Sequence, residues 1–277
     1  MEIVWNAVDL EPVYGGVCVP TMGALHEGHL SLIRRAREEA DLHAQRLPVV
    51  VTIFVNPAQF ALGEDFTRYP RTFEADCSKA EANGADVIFA PEVSEVYPDG
   101  PDSPIDPRII IPAVAREPGL EEKSRPQFFI GVCRVVHRLF ELVQPSAAVF
   151  GEKDYQQLLT IRAMVAAMAL PVTIHSEPTA RDEDSLALSS RNAYLAPVQR
   201  KRALGLSKAL KAARQAKSVA EAERAMRSIL LANQVEIDYA AVRDAHTLMP
   251  IDDFAFGARA LVAGRVGPVR LIDNMAV

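Results

Sequence analysis

Residues 48–55, PVVVTIFV, are apolar at both alternating sets of positions and rich in β-branched side chains. A strand with one wet face alternates apolar and polar residues, and this run has no polar set to turn outward. It belongs inside a parallel sheet covered on both faces. Parallel strands need helical crossovers, and the chain supplies them. Strand-like residues 17–20 precede a helical pattern at 30–44. Residues 72–83 read as a helix stopped by Gly84, and 86–90 as a strand. An apolar helix at 129–143 is closed by Pro145, followed by a strand at 147–150, a helix at 155–169 and a strand at 171–175. This alternation predicts a doubly wound α/β layer. The Pro-rich residues 97–112 interrupt it as a surface excursion with short strands.

Beyond residue 178 the character changes. Residues 197–216 and 219–233 are charged, Ala-rich helical segments, and 236–243, 258–263 and 269–272 read as short strands. The expectation is a first domain over 1–178 and a smaller α+β domain over 179–277. A chain of 277 residues has room for both.

Apolar residues make up 49% and charged residues 24%, the balance of a soluble globular chain. No stretch approaches the roughly 20 apolar residues that span a bilayer, so no membrane partner is expected. The opening MEIVWNAVDLEP lacks a basic segment followed by an apolar one, so no signal peptide is read. The three cysteines, Cys18, Cys77 and Cys133, are far apart and form no CxxC pair. Buried thiols in a reducing, cytoplasmic compartment are expected. A net charge of −6 disfavours a long polyanionic partner such as nucleic acid.

Four clusters carry chemistry, three of them at a strand end. PTMGALHEGHLSL, residues 20–32, places His26 and His29 where a strand turns into a helix. A helix N-terminus presents free N–H groups and partial positive charge, which suits phosphate, and imidazoles add donors. Gly23 and Gly28 would let the backbone pass close to a ligand. A plain turn or a two-histidine zinc site stand beside this reading. FVNPAQF, residues 54–60, follows a buried strand. Gln59, with Asn56, could read a small hydroxy acid, or Asn56 could merely open an Asn-Pro turn. Tyr69, Pro70 and Arg71 shape the following loop. Asp76 is a candidate magnesium ligand or a solvated helix carboxylate. FGEKDYQQ, residues 150–157, offers Lys153 to phosphate, Asp154 to ribose hydroxyls, and Gln157 on the same side. Glu152 and Asp154 suit a helix start, whereas Lys153 is unfavourable there unless an anion compensates. LSSRN, residues 188–192, joins two hydroxyls to a guanidinium, a phosphate clamp or an ordinary loop.

Taken in order, PTMGALHEGH, FVNPAQF with EDFTRYPRT, FGEKDYQQL and DSLALSSRN closely resemble the pantothenate synthetase (pantoate–β-alanine ligase) family. The resemblance runs from about Val17 to the end and includes LIDN. It implies a Rossmann-like, HxGH-type nucleotidyltransferase fold and two reaction steps. Pantoate attacks the α-phosphate of ATP to give pantoyl adenylate, and β-alanine then displaces AMP. It further implies Mg2+, a homodimer and a cytoplasmic location. ATP would be bound by Met22, Gly23, Ala24, Leu25, His26, Glu27, Gly28 and His29, by Gly151, Glu152, Lys153 and Asp154, by Ala180, and by Leu188, Ser189, Ser190 and Arg191. His29 would be the proton donor, with His26, Lys153 and Arg191 as catalytic partners. Gln59 and Gln157 would hold pantoate, with Asn56 beside them. Lys153 and Arg191 weigh against zinc.

The chain departs from that pattern in places. Ser185 stands where the family has glycine and Leu188 where methionine is common. In LEEKSRPQFF, residues 120–129, Glu122, Gln127 and Phe128 replace glycine, glycine and histidine. The region before Val17 is also short. The altered segment keeps open a non-catalytic nucleotide-binding descendant, beside another adenylate-forming enzyme of the same group.

Overall fold

The computed structural model describes residues 1–59, 70–254 and 257–277. Phe60 and Tyr69, and the intervening start of the EDFTRYPRT motif, lie outside the described residues. The first layer holds β1 (Glu2–Val4), β2 (Val17–Thr21), β3 (Val49–Ile53), β4 (Val87–Phe89), β5 (Ala147–Gly151) and β6 (Thr173–Glu177). All pair in parallel, in the order β1-β4-β3-β2-β5-β6. The crossovers carry α1 (Glu27–Asp41), α2 (Phe73–Ala82), α3 (Val93–Val96), α4 (Glu121–Ser124), α5 (Phe128–Val143) and α6 (Tyr155–Ala167).

Residues 48–55 behave as their composition demands. Val17, Val19, Val49 and Val51 pack with Ile33 and Ala36 of α1 and Ala80 of α2. Cys18 and Val50, one residue out of phase, pack with α5 and α6. Thr52, the polar exception, is fully buried and exchanges hydrogen bonds with Thr21: its Oγ1 accepts from the Thr21 N–H, and its carbonyl accepts the Thr21 hydroxyl at 2.6 Å.

The smaller unit packs α7 (Pro197–Ala213) and α8 (Val219–Ala232) on an antiparallel sheet of β7 (Glu236–Asp244), β8 (Ala258–Val266) and β9 (Val269–Ala276), around its own apolar cluster. Cys18, Cys77 and Cys133 are buried and free. Among the described residues, no helix is long and apolar enough to cross a membrane.

Two sequence expectations need correction. Residues 97–112 form turns and no strand. Pro98, Pro101, Pro104, Pro107 and Pro112 remove the ladder donors a strand needs, and Ile109 and Ile111 simply pack against the main core. β8 and β9 run beyond the predicted 263 and 272. The polar residues Asp273 and Asn274, which looked like a strand end, are buried inside β9 with side-chain partners.

The sheet order reverses at β2 and β5. From β2 the chain proceeds to β3 and β4 on one side, then to β5 and β6 on the other. In open parallel sheets the ligand crevice opens at the carboxyl ends of such strands. The turns after Thr21 and Gly151 carry the first and third clusters.

Candidate active site

His26 is the N-cap of α1, and the cap is built from imidazoles. Its Nδ1 accepts the Gly28 N–H at 3.1 Å, and His29 Nδ1 accepts the His26 N–H at 3.4 Å. A nitrogen that accepts from an amide carries no proton, so both rings are neutral and protonated on Nε2. Their centroids are 4.1 Å apart. Burial pushes His29 down to about 3, helped by His26 and the Lys153 and Lys79 ammonium groups. Burial also lowers His26 to about 4, with Lys153 and Lys79 adding to the effect and Asp154 opposing it. A Cβ on Gly28 would stand 2.9 Å from His26 Cε1. That glycine therefore makes room for the imidazole, where the sequence suggested room for a ligand.

The turn before α1 holds Ala24 at φ 51 and is gripped from α2. Asp76 is buried, and its carboxylate accepts the Ala24 and Leu25 N–H groups at 2.8 and 2.7 Å and the Thr72 hydroxyl at 3.1 Å. Lys79 Nζ donates to the Leu25 carbonyl at 2.7 Å. This corrects the reading of Asp76 as a solvated helix carboxylate: it is buried and fastens the histidine loop. Among the described residues, no group of three or more His, Cys, Asp or Glu forms a metal cage.

Asn56 is also committed internally. Its Nδ2 donates to Gln59 Oε1 at 3.1 Å and the Gly131 carbonyl at 3.2 Å, and its Oδ1 accepts from Ala58 N–H and the Tyr97 hydroxyl. Asn56 thus orients Gln59, whose Nε2 faces Met22 Sδ at 2.8 Å. A Cβ on Gly131 would lie 2.3 Å from the Ala58 carbonyl oxygen. Gly131→Ala is therefore expected to push the Gln59 turn aside and, if Gln59 contacts a substrate, to raise that substrate's KM at least about tenfold, since a small misplacement is costly. Steady-state kinetics would check it.

Lys153 sits in the single 3-10 turn Glu152–Asp154 after β5, with Nζ 3.6 Å from Asp154 Oδ1. Glu152 points away and pairs with Arg259 at 2.8 Å. In the fourth cluster, Leu188 N–H donates to the Ala180 carbonyl at 2.9 Å, which brings Ala180 beside the loop. Ser189 caps the turn Ser190–Tyr194. Ser185 has φ 72, so the backbone keeps the left-handed shape that favours the family's glycine. Left-handed strain costs about 1–2 kcal/mol, against about 0.5–1 kcal/mol for glycine's lost freedom. Ser185→Gly is expected to raise stability by roughly 0.5–1 kcal/mol, read by urea unfolding.

These parts face one crevice of about 860 Å³. Met22, His26, Gly28, His29, Asn56, Gln59, Gly151, Lys153, Asp154, Gln157, Ala180, Leu188, Ser189, Ser190 and Arg191 all line it. Of the expected nucleotide contacts, Gly23, Ala24, Leu25, Glu27 and Glu152 are not in its wall. Leu25 is core, Glu27 pairs with Arg34 on the surface, and Glu152 holds Arg259.

Other wall residues escaped the sequence reading. Arg270 holds Glu121 with two bonds of 2.8 Å, and the Tyr239 hydroxyl donates to the same carboxylate. Thr179 Oγ1 and Asn192 Oδ1 are buried without a partner among the described residues, beside the loop at 188–191. Asn192 was visible in LSSRN; Thr179 had no sequence signal.

The altered segment is accommodated. Glu122 accepts from Gln156 Nε2 at 2.8 Å, from the Leu120 N–H and from the Gly119 N–H. Phe128 lies under the Arg125 guanidinium at 3.8 Å, and Gln127 is exposed at the start of α5.

A doubly wound parallel sheet whose switch-point crevice is walled by neutral imidazoles, a lysine and a hydroxyl–guanidinium loop defines a phosphate-binding α/β protein. A pantoate-beta-alanine ligase family model matches residues 14–276, and the chain belongs to that family. It is 49% identical to a pantothenate synthetase of Nocardioides sp. over 267 residues, 93% of this chain and 77% of that protein. A pantothenate synthetase of Thermus thermophilus is 48% identical over 264 residues, covering 94% and 92% of the two chains. A crystal structure of a pantothenate synthetase from Thermus thermophilus superimposes with a TM-score of 0.90, at 46% identity over 99% of each chain. The Francisella tularensis pantoate-beta-alanine ligase, complexed with beta-gamma ATP and beta-alanine, gives 0.78 at 32% identity over 100% and 97%.

Proposed function

We propose that this crevice condenses pantoate with β-alanine in an ATP-driven, AMP-forming reaction. The observation that carries the proposal is the convergence of His26, His29, Lys153 and residues 188–191 on the same space as Gln59 and Gln157. The Francisella relative, bound to an ATP analogue and β-alanine, supports the substrate assignment.

In the first step a pantoate carboxylate oxygen bonds to the α-phosphorus, and the bond to the β-phosphate bridging oxygen breaks, releasing pyrophosphate. In the second the β-alanine amine bonds to the acyl carbon, the C–O bond to AMP breaks, and the amine loses a proton. No enzyme nucleophile is needed; positioning and charge neutralisation suffice. Lys153 and Arg191 neutralise phosphate oxygens, and His26 and His29 donate from neutral Nε2–H groups. Gln59, held by Asn56, and Gln157 orient pantoate. Glu122 makes internal contacts, and Phe128, stacked under Arg125, forms part of the wall of a crevice that stays open, which weighs against a non-catalytic descendant.

Among the described residues no cluster of His, Cys, Asp or Glu forms a cage for a resident magnesium ion, so Mg2+ would be carried on the triphosphate of ATP. We divide the chain at residue 178, since the parallel sheet ends at Glu177 and the second core begins at Leu186. We propose a cytoplasmic homodimer, and sedimentation would check the dimer.

Pantoate-dependent exchange of labelled pyrophosphate into ATP, without β-alanine, tests the first step. Exchange with pantoate alone among a panel of hydroxy acids is expected. Exchange with a different acid but not pantoate would favour another adenylate-forming activity.

The histidines carry a pH prediction. Their folded values of about 4 and about 3 lie below the ordinary imidazole value near 6.5. The unfolded chain therefore takes up protons first as pH falls. Their contribution to stability is complete above about 6.5 and declines between there and the folded values. Proton NMR of the two imidazoles should give midpoints near 4 and 3 in the free protein, rising when ATP masks Lys153. Midpoints near 6.5 would contradict the neutral-donor role.

A further inference from the structure

Asp273 and Asn274 are adjacent on β9, 3% and 4% exposed, and point to opposite sides of the strand. Asn274 Nδ2 donates to the carbonyls of Glu152 and Lys153, both at 2.9 Å. Its Oδ1 accepts from Arg259 Nε at 2.7 Å, and Arg259 also stacks on Tyr155 at 3.7 Å. Asp273 holds the Arg181 guanidinium with two bonds, at 2.7 and 2.8 Å. Arg181 lies next to Ala180 and bridges Ala187, so it fixes the isolated bridge that leads into the loop at 188–191.

The two phosphate-binding segments come from different units of the fold, and one dipeptide grips both. Asn274 holds the main chain of the Lys153 turn and leaves the ammonium available to face the crevice. A buried carboxylate and amide are expensive places to put stability alone, because apolar residues of similar size commonly do as well. Their full satisfaction instead imposes one geometry.

We propose that Asp273 and Asn274 are positioning residues that set the spacing between Lys153 and the loop at 188–191, so that both reach one triphosphate. The proposal rests on the adenylation reading above and adds to it. It also predicts a division of labour: Asn274 acts through Lys153, and Asp273 acts through the loop that carries Arg191.

Double-mutant cycles in the full-length protein test this, read by pantoate-dependent pyrophosphate exchange with separate kcat and KM for ATP. If the wild type shows no exchange, the adenylation reading itself fails, and the spacing is then tested through the Kd for ATP in the same cycles. With exchange present, Asn274→Ala is expected to lower kcat by about 10²-fold, the cost of misplacing a reacting group by about 1 Å. In a Lys153→Ala background the same change should cost less than about threefold. Asp273→Asn should lose most of its effect in an Arg191→Ala background and keep it in Lys153→Ala. Melting temperatures are followed throughout. If Asn274→Ala does not fold, Arg259→Lys, which removes the Nε brace on Asn274, replaces it in the cycle. Fully additive losses in both backgrounds, or a lowered melting temperature with unchanged kcat, would overturn the proposal.

Discussion

Lys153→Ala is expected to slow pantoyl-adenylate formation by about 10²–10³-fold, the equivalent of about 3–4 kcal/mol of charge stabilisation. The physical case begins with an anomaly of placement. The ammonium precedes α6, where the helix dipole disfavours a cation. Its nearest carboxylate, Asp154, is 3.6 Å away and partly exposed, an arrangement that contributes little to stability. The same charge adds to burial, the larger cause, in keeping both imidazoles neutral. Removing it should therefore leave the melting temperature unchanged or slightly raised while the chemical step collapses. Rapid-quench single-turnover measurement of the adenylate separates these effects, and wild-type rates in the variant would refute the assignment.

His29→Ala is expected to produce a comparable loss of about 10²–10³-fold, for a different reason. The alanine removes an Nε2–H donor from the crevice and also the acceptor that caps the His26 N–H. The lost cap should cost about 1 kcal/mol. His29→Gln distinguishes the two roles, because glutamine at the third helical position can make the same reciprocal cap. Its stability should return close to wild type while the rate stays at least about tenfold low, since the amide donor sits elsewhere. Full recovery of rate in His29→Gln would show that the imidazole serves only the cap. The rate profile of the free enzyme should show no inflection near 6.5 from either histidine, whose values lie near 4 and 3.

The sheet was legible because one run left no choice. Residues 48–55 had no face to give to water, and the structure buries Val49, Val50 and Val51 completely. The histidine motif was legible as a helix start, because its spacing places His26 at the cap and His29 at the third helical position. What the sequence hid was mostly contact at a distance. β1 is three residues long and exists by pairing with β4, so no local pattern announces it. Asp273 and Asn274 carry turn chemistry, yet guanidinium partners 92 and 15 residues away hold them in a strand. Asp76 looked like a metal ligand because an acid near a phosphate motif suggests one. Only the fold reveals that it accepts the N–H groups of Ala24 and Leu25. Glu122 looked like damage to a family motif, and in place it braces Gln156. Charged and polar residues take their meaning from partners, and partners are set by topology.

A pantoate carboxylate that attacks the α-phosphate of ATP in this crevice leaves one of its own oxygens on AMP. Transfer of oxygen-18 from carboxylate-labelled pantoate tests it directly, with β-alanine present and the products resolved by mass spectrometry. One labelled oxygen should appear in AMP and none in pyrophosphate. Unlabelled AMP, or label in pyrophosphate or inorganic phosphate, would rule that attack out.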